Sequence, residues 1–177
     1  MASYYYYAST LPHLRFDGPL PFDVATFLAA SSDQVSRRDH ALLVAAVEGR
    51  ESRHPFIRRW QRHQRLLKSE LAAQRSRRKG LGAAAYPHLD ETDLRICEAV
   101  RHALAADDPL KGELMLLELS FNELDEQVGL AAFTIEALLA FVLKLQLKER
   151  QSRFVQSAGN SEFERLFSNL QREIAKR

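Results

Sequence analysis

The stretch FTIEALLAFVLKLQLKER, Phe133 to Arg150, decides the fold. It reads as a helix whose apolar residues do not keep to one face. Ile135, Leu138, Leu139, Val142 and Leu145 form one stripe at spacings of three and four, while Ala137, Phe141, Leu143 and Leu147 fall off it. A helix apolar nearly all round has to be enclosed, either by its own domain or by a partner. Both readings stay open at the level of sequence. Either one points to packing and docking rather than to chemistry.

Outward from this helix, the chain reads as further helices punctuated by Gly and Pro. On the C-terminal side, Ala158-Gly159-Asn160 is a break, and Ser161 with Glu164 makes a capping box for a last helix with inner face Phe163, Leu166, Phe167, Leu170 and Ile174. On the N-terminal side, Thr134 is placed to cap the opening helix, with Phe133 and Leu138 as a hydrophobic staple. Gly129 is expected to end the preceding helix, which Asp108-Pro109 opens. Its stripe Leu110, Leu114, Leu117, Phe121, Leu124 and Val128 holds a clean spacing of four and three, with an acidic opposite face. Before it, Asp90 is expected to cap a helix holding Leu94, Cys97, Val100 and Leu104.

Residues 81–90 form the expected linker or hinge between an N-terminal helical region, 1–80, and a C-terminal one, 91–177; one compact domain is the alternative. The N-terminal region holds a long Arg-rich helix over 55–79, with Pro55 at its first position and Gly80 beyond its end. Its seam is Ile57, Trp60, Gln64, Leu67, Leu71 and Gln74. Earlier still, Ser36 and Asp39 resemble a capping box before a helix over Ala41 to Glu48, which Gly49 stops, and Asp23 to Ala30 reads as a short helix. The start, SYYYYASTLPHLRF, is compatible with an extended segment or a short helix. The class is therefore all-α, a bundle of about seven helices with no convincing strand pair and no sustained repeat.

Composition agrees. Of 177 residues 46% are hydrophobic, ten of them Phe and five Tyr, so a core can form, and seven Gly and six Pro are too few for a turn-rich β-fold. The single Cys97 excludes an internal disulfide and multi-cysteine metal motifs, which fits a reducing cytosolic compartment. No basic start precedes an apolar run, so no signal peptide is expected. The longest apolar run stops at Lys144, well short of the roughly 20 residues of a membrane span. Net charge is only +2, but it is divided: Arg50 to Lys79 is strongly basic and Asp90 to Glu136 strongly acidic. Such arms either pair within the fold or face different partners.

Catalytic patterns are missing from the sequence. The six His form no close ligand set, Cys97 and His102 do not share a helix face, and Cys97 lies among apolar positions as a core thiol would. Gly80-Leu81-Gly82 follows a helix rather than a strand, so it is no phosphate loop, and the carboxylates of Asn122 to Glu126 read as solvated helix surface. No enzyme, metal, cofactor or small-molecule substrate is expected. The rival signal is the helix 55–79, where Arg58, Arg62 and Arg65 recur on one face with Trp60 and His63 interleaved. That is compatible with phosphate contacts in a nucleic-acid-binding module. A solvated face, or one that meets a protein, is favoured because whole-chain charge is near neutral.

The aromatic start SYYYYASTLPHLRF, the middle WQRHQRLLKSELAAQRSRRKG, then DPLKGELMLLELSFNELDEQ and FTIEALLAFVLKLQLKERQSRF together resemble a bacterial family encoded beside V/A-type ATP synthase subunits. That family is more distantly similar to the funnel-like adaptor of those rotary ATPases, their C-type or d-type component. The resemblance implies a non-catalytic helical component of the rotary stalk. It would dock to central-stalk or membrane-ring subunits, be cytoplasmic, and lie at the inner face of the membrane through the ATPase complex. No family binding residue transfers. The residues expected to meet a partner are Arg58, Arg62, Arg65, Arg75 and Arg78 on the basic helix, with Phe141, Leu143 and Leu147 from the surplus apolar girth of the opening helix.

Overall fold

The apolar girth of the opening helix is enclosed by the chain's own helices. The computed structural model describes residues 4–80 and 93–154. The linker at 81–90, Asp90 and the last helix expected from Ser161 lie outside the described residues. Within them are seven α-helices and no strand: α1 Tyr5–Thr10, α2 Val24–Ser31, α3 Arg37–Val47, α4 Pro55–Arg78, α5 Leu94–Ala105, α6 Pro109–Val128 and α7 Ile135–Ser152. Helix α7 is packed against α3 and α6, and less extensively against α2 and α4. Neighbours on several sides are why Leu138, Leu139, Ala140, Val142, Leu143 and Leu145 are all buried.

Two apolar clusters hold the bundle. The main one gathers Phe27 of α2, Leu43 of α3, Phe56 and Ile57 of α4, Phe121 and Leu124 of α6, and the buried apolar residues of α7. A second joins Leu67 of α4 to Ile96, Val100 and Ala103 of α5 and Leu116 of α6. Helix α4 lines both: its 24 residues span about 36 Å at 1.5 Å each. Both clusters draw residues from both sides of the segment 81–92.

The helix ends are set by local chemistry. Asp23, Asp93 and Asp108 accept backbone N–H bonds from Thr26, Arg95 and Leu110 at 2.7, 2.9 and 2.9 Å, satisfying donors that a helix start leaves open. Beyond α3, Gly49 takes a positive φ of 68°. Its N–H donates to Ala46 at 3.2 Å while Arg50 N–H reaches Ala45 at 2.9 Å, the paired bonds of a Schellman stop that needs a residue without Cβ. At the start of α3, Ser36 Oγ accepts from Asp39 N at 3.1 Å, as a capping residue does. The return half of the box is rerouted. Tyr4 Oη accepts from Ser36 N at 3.3 Å and donates to the Asp39 carboxylate. A phenol 32 residues away thus closes the box, and it fixes the N-terminal segment as helix α1.

Three local expectations shift. The buried stripe of α5 is Ile96, Val100 and Ala103, because the helix lies against both α4 and α6; Leu94 is exposed and Cys97 half-buried. On α6, Leu117, Phe121 and Leu124 are buried as expected, but Leu110 is exposed. Leu116 and Gly112 are buried instead, turned to the second cluster. At α7, Thr134 makes no capping bond and its hydroxyl donates to Ala131 O at 3.1 Å. Phe133 lies against Tyr5, ring centres 4.6 Å apart, rather than being drawn into the core.

At Gly112 the backbones of α5 and α6 approach closely. A Cβ there would stand 2.3 Å from the carbonyl oxygen of Ala103, a backbone atom with no rotamer to move. Gly112→Ala brings a helix-propensity gain of up to about 1 kcal/mol, against an overpacking loss of about 1–3 kcal/mol. Net destabilisation is expected in urea denaturation, and an unchanged or raised midpoint would refute the close approach.

Candidate docking surfaces

One face of α4 is spent on the core and the other is cationic. Phe56, Ile57, Trp60, His63 and Leu67 are buried, whereas Arg58, Arg59, Arg62, Arg65 and Lys68 are exposed. The spacing does this: 56, 60, 63 and 67 follow one helical stripe, and 58, 62 and 65 another. Arg58, Arg59, Arg62 and Arg65 line a groove of about 510 Å³ with Glu51, Ser52, Pro55 and Gln61. Its wall is steadied by the Gln61 amide, which donates to Arg50 O at 2.8 Å.

A second groove, of about 660 Å³, opens between the end of α3, α4 and the last turns of α7. Ala46, Val47, Trp60 and Leu147 supply its apolar lining, and Arg65, Lys68, Arg150 and Arg153 its cations. Arg65, Gln61 and Glu51 border both grooves, so the two adjoin.

The acidic half of the chain is largely used inside the fold. Arg95 of α5 holds Glu123 and Glu126 at 3.1 and 2.7 Å, Lys144 pairs with Asp125, and Arg150 pairs with Glu113. These carboxylates of α6 therefore meet cations of α5 and α7. Arg58, Arg59, Arg65 and Lys68 make no ion pair among the described residues.

The residues expected to meet a partner separate into groups. Arg58, Arg62 and Arg65 come together on the exposed face, joined by Arg59, Lys68 and Arg153, which local spacing does not single out. Arg75 and Arg78 are exposed farther along α4, where Arg78 also donates to Leu104 O of α5 at 2.6 Å. Leu147 is half-buried at the groove. Phe141 is half-buried between the rings of Phe22 and Phe27, at 6.0 and 5.2 Å. Leu143 is corrected: it is buried in the main cluster, so its side chain is not open to a partner. Surplus girth became core because helices cover α7 on several sides.

A separate aromatic cap is invisible to sequence periodicity. Tyr4 N–H donates to Phe133 O at 2.8 Å, which holds α1 against the turn between α6 and α7. Around this bond, Tyr5 is 61%, Tyr6 81% and Phe133 40% exposed, and Leu130 is fully exposed. The tyrosine run is thereby split. Tyr4 and Tyr7 face inward, Tyr7 stacking on Phe27, and Tyr5 and Tyr6 face out.

Titratable groups near these surfaces are tuned by burial. His63 stacks on Trp60 and its Nε2 lies 3.3 Å from Ser120 Oγ. Burial pulls its pKa below the usual 6.5, against opposing pulls from Glu123 and Asp93. A buried neutral His contributes stability that is present above the unfolded pKa near 6.5 and lost as pH falls through the lowered folded value. Thermal stability is expected to drop on acidification from pH 7 towards 5, and less so in His63→Phe; parallel pH profiles would refute this role. Burial, and then Glu70, raise the pKa of the Cys97 thiol, which keeps it protonated and weakly nucleophilic. Among the described residues no group of three or more His, Cys, Asp or Glu is placed to hold a metal ion.

Residues 93–174 match the family model described as a protein of unknown function (DUF2764), a similarity that takes in α5, α6 and α7 and runs beyond them. No curated protein and no solved structure matches the chain.

Proposed function

We propose that this chain is a non-catalytic docking component of a V/A-type ATP synthase, similar to the C-type (d-type) adaptor, that works in the rotary stalk by shape and contact. The observation that carries the reading is the aromatic cap. Tyr5, Tyr6, Leu130 and Phe133 stand in water on two segments bound to each other, so exposing them is built into the fold rather than left to a loose end. Aromatic residues gathered in this way favour a protein partner, because Tyr and Phe supply large contact area with few rotamers to freeze. The resemblance of the four quoted stretches to proteins encoded beside the ATP synthase supplies the partner: a central-stalk or membrane-ring subunit. On this reading the chain is cytoplasmic and reaches the inner face of the membrane only through that partner. Among the described residues no helix is long and apolar enough to cross a membrane.

The test is affinity capture with the tagged full chain from cells that assemble a V/A-type ATP synthase, with bound subunits identified by mass spectrometry. Stalk or ring subunits are expected with the wild type. Capture should fall at least about tenfold with Tyr6→Ser and Leu130→Ser combined, since buried aromatic anchors dominate interface energy. Capture of no ATP synthase subunit, or equal capture by the variant, would count against the reading.

A further inference from the structure

The cationic surface of α4 adjoins a groove whose lining joins the apolar Val47 and Leu147 to further cations. We propose that these adjoining grooves together receive an acidic amphipathic helix of a protein partner. The partner's apolar side chains would lie on Val47 and Leu147, and its carboxylates would meet Arg65, Lys68 and Arg153 and continue along Arg58. The inference rests on the reading of the chain as a docking part and adds the chemistry of a second contact.

Four observations carry it. The first is charge: Arg58, Arg59, Arg65 and Lys68 have no ion pair among the described residues, while the nearby carboxylates Glu149 and Glu48 are engaged. Glu149 accepts from Val24 N at 2.6 Å and Glu48 is bound to Arg50. The second is geometry. Arg58 to Lys68 is ten residue steps, about 15 Å or three turns of helix, so a facing helix with carboxylates three and four apart meets successive cations. The third is the groove lining, where the apolar Val47 and Leu147 stand beside the cations and suit the apolar face of a helix. The fourth is Trp60. An aromatic side chain serving nucleic acid would present its ring to bases, but this ring is buried and stacked on His63. Arginine suits the task, since its fork binds carboxylate through two parallel N–H bonds. Glu51, exposed where the two grooves meet, repels a carboxylate at that point and so sets the register.

Fluorescence anisotropy of the full chain decides the matter, using a labelled synthetic helix of Glu, Leu and Ala with one acidic and one apolar face. The comparison probes are the same peptide with Gln for Glu and a short DNA duplex. The acidic helix is expected to bind best and to weaken with salt. Arg65→Glu with Lys68→Glu should weaken it at least about tenfold, and a Lys-for-Glu peptide should then bind the variant in its place. That exchange cannot come from unfolding, and Arg153→Glu reads the same rim from beyond the last turn of α7. Equal binding of the Gln peptide, indifference to these substitutions, or tighter binding of the duplex would overturn the proposal. The two readings also fail differently in affinity capture. A wild type that recovers no ATP synthase subunit sinks the ATP synthase assignment, while the peptide still decides the groove. Capture that survives both Arg65→Glu/Lys68→Glu and Arg153→Glu sinks the groove and leaves the assignment standing.

Discussion

Replacing Lys148 with Met is expected to cost about 3 kcal/mol, a large share of the 5–15 kcal/mol that holds a domain of this kind together. Lys148 is 3% exposed on α7, and its Nζ donates to three backbone carbonyls of one loop: Arg15 and Phe16 at 2.8 Å and Gly18 at 2.6 Å. Its three donors are thus matched by three acceptors, and the loop between α1 and α2 is tied to the central helix. Burial lowers the pKa of this ammonium, with Asp17 opposing, so the charge is held at a desolvation cost that the carbonyls offset. Methionine keeps the stem and removes both the charge and its desolvation. It also leaves three converging carbonyls short of a donor, each worth about 1–3 kcal/mol if water cannot reach it. Arg15 and Asp17 are exposed, so water enters from that side and the sum stays at the lower end of that range. Lys148→Arg is expected to fall between, because a flat fork cannot meet three converging oxygens. Urea denaturation gives the magnitude. Hydrogen exchange at Gly18, whose N–H is bonded to Arg15 O at 3.2 Å, shows whether the loop is released first. A midpoint within about 0.5 kcal/mol of wild type would mean that the three bonds are not what fixes the loop.

What was legible in the sequence follows the range of the interaction. The helix start at Asp108-Pro109, the stop at Gly49 and the start at Pro55 depend on residues within a few positions of each other, and each stands where local spacing puts it. The buried stripe of α4 was legible in part: Ile57, Trp60 and Leu67 recur at helical spacing and are buried, but Gln64, Leu71 and Gln74 are only half-buried, and Phe56 and His63, the latter read with the basic face, are drawn into the core. Tyr4 was not. The box at Ser36 and Asp39 reads as self-sufficient, and nothing local shows that a phenol will enter it. Lys144 and Lys148 were not legible either, since lysine is read as solvated until tertiary structure supplies a carboxylate, a ring or a set of carbonyls. The candidate surface divides in the same way. That Arg58, Arg62 and Arg65 share a face is helix geometry. That Leu147, 82 positions after Arg65, completes a groove with it is a product of packing that no window of sequence contains.

Leu143→Ala is expected to destabilise by about 2–5 kcal/mol, the range for emptying a well-packed leucine site. Leu143 lies off the main stripe of its helix, where an unpaired apolar residue would be a natural anchor for a partner. Its side chain is instead 0% exposed in the main cluster, alongside Leu139, Leu145, Leu43 and Phe27. A cavity there has buried neighbours on every side, so little collapse is available and the cost should lie in the upper part of the range. Leu147, one turn on and half-buried, should cost much less as Ala, because water already reaches part of it. The pair therefore separates folding from docking on a single helix. Leu143→Ala should lower the thermal midpoint while leaving affinity for the acidic helix unchanged at temperatures where the variant is folded. Leu147→Ala should do the reverse, weakening the peptide with a small change in midpoint. If Leu143→Ala left stability intact but abolished capture of a partner, residue 143 would be part of an interface and α7 would not be the enclosed centre of this bundle. The two leucines differ by four positions and one turn; what assigns one to the core and the other to the surface is that the apolar cover over α7 gives way, at its last turns, to the basic rim of Arg65, Lys68 and Arg153.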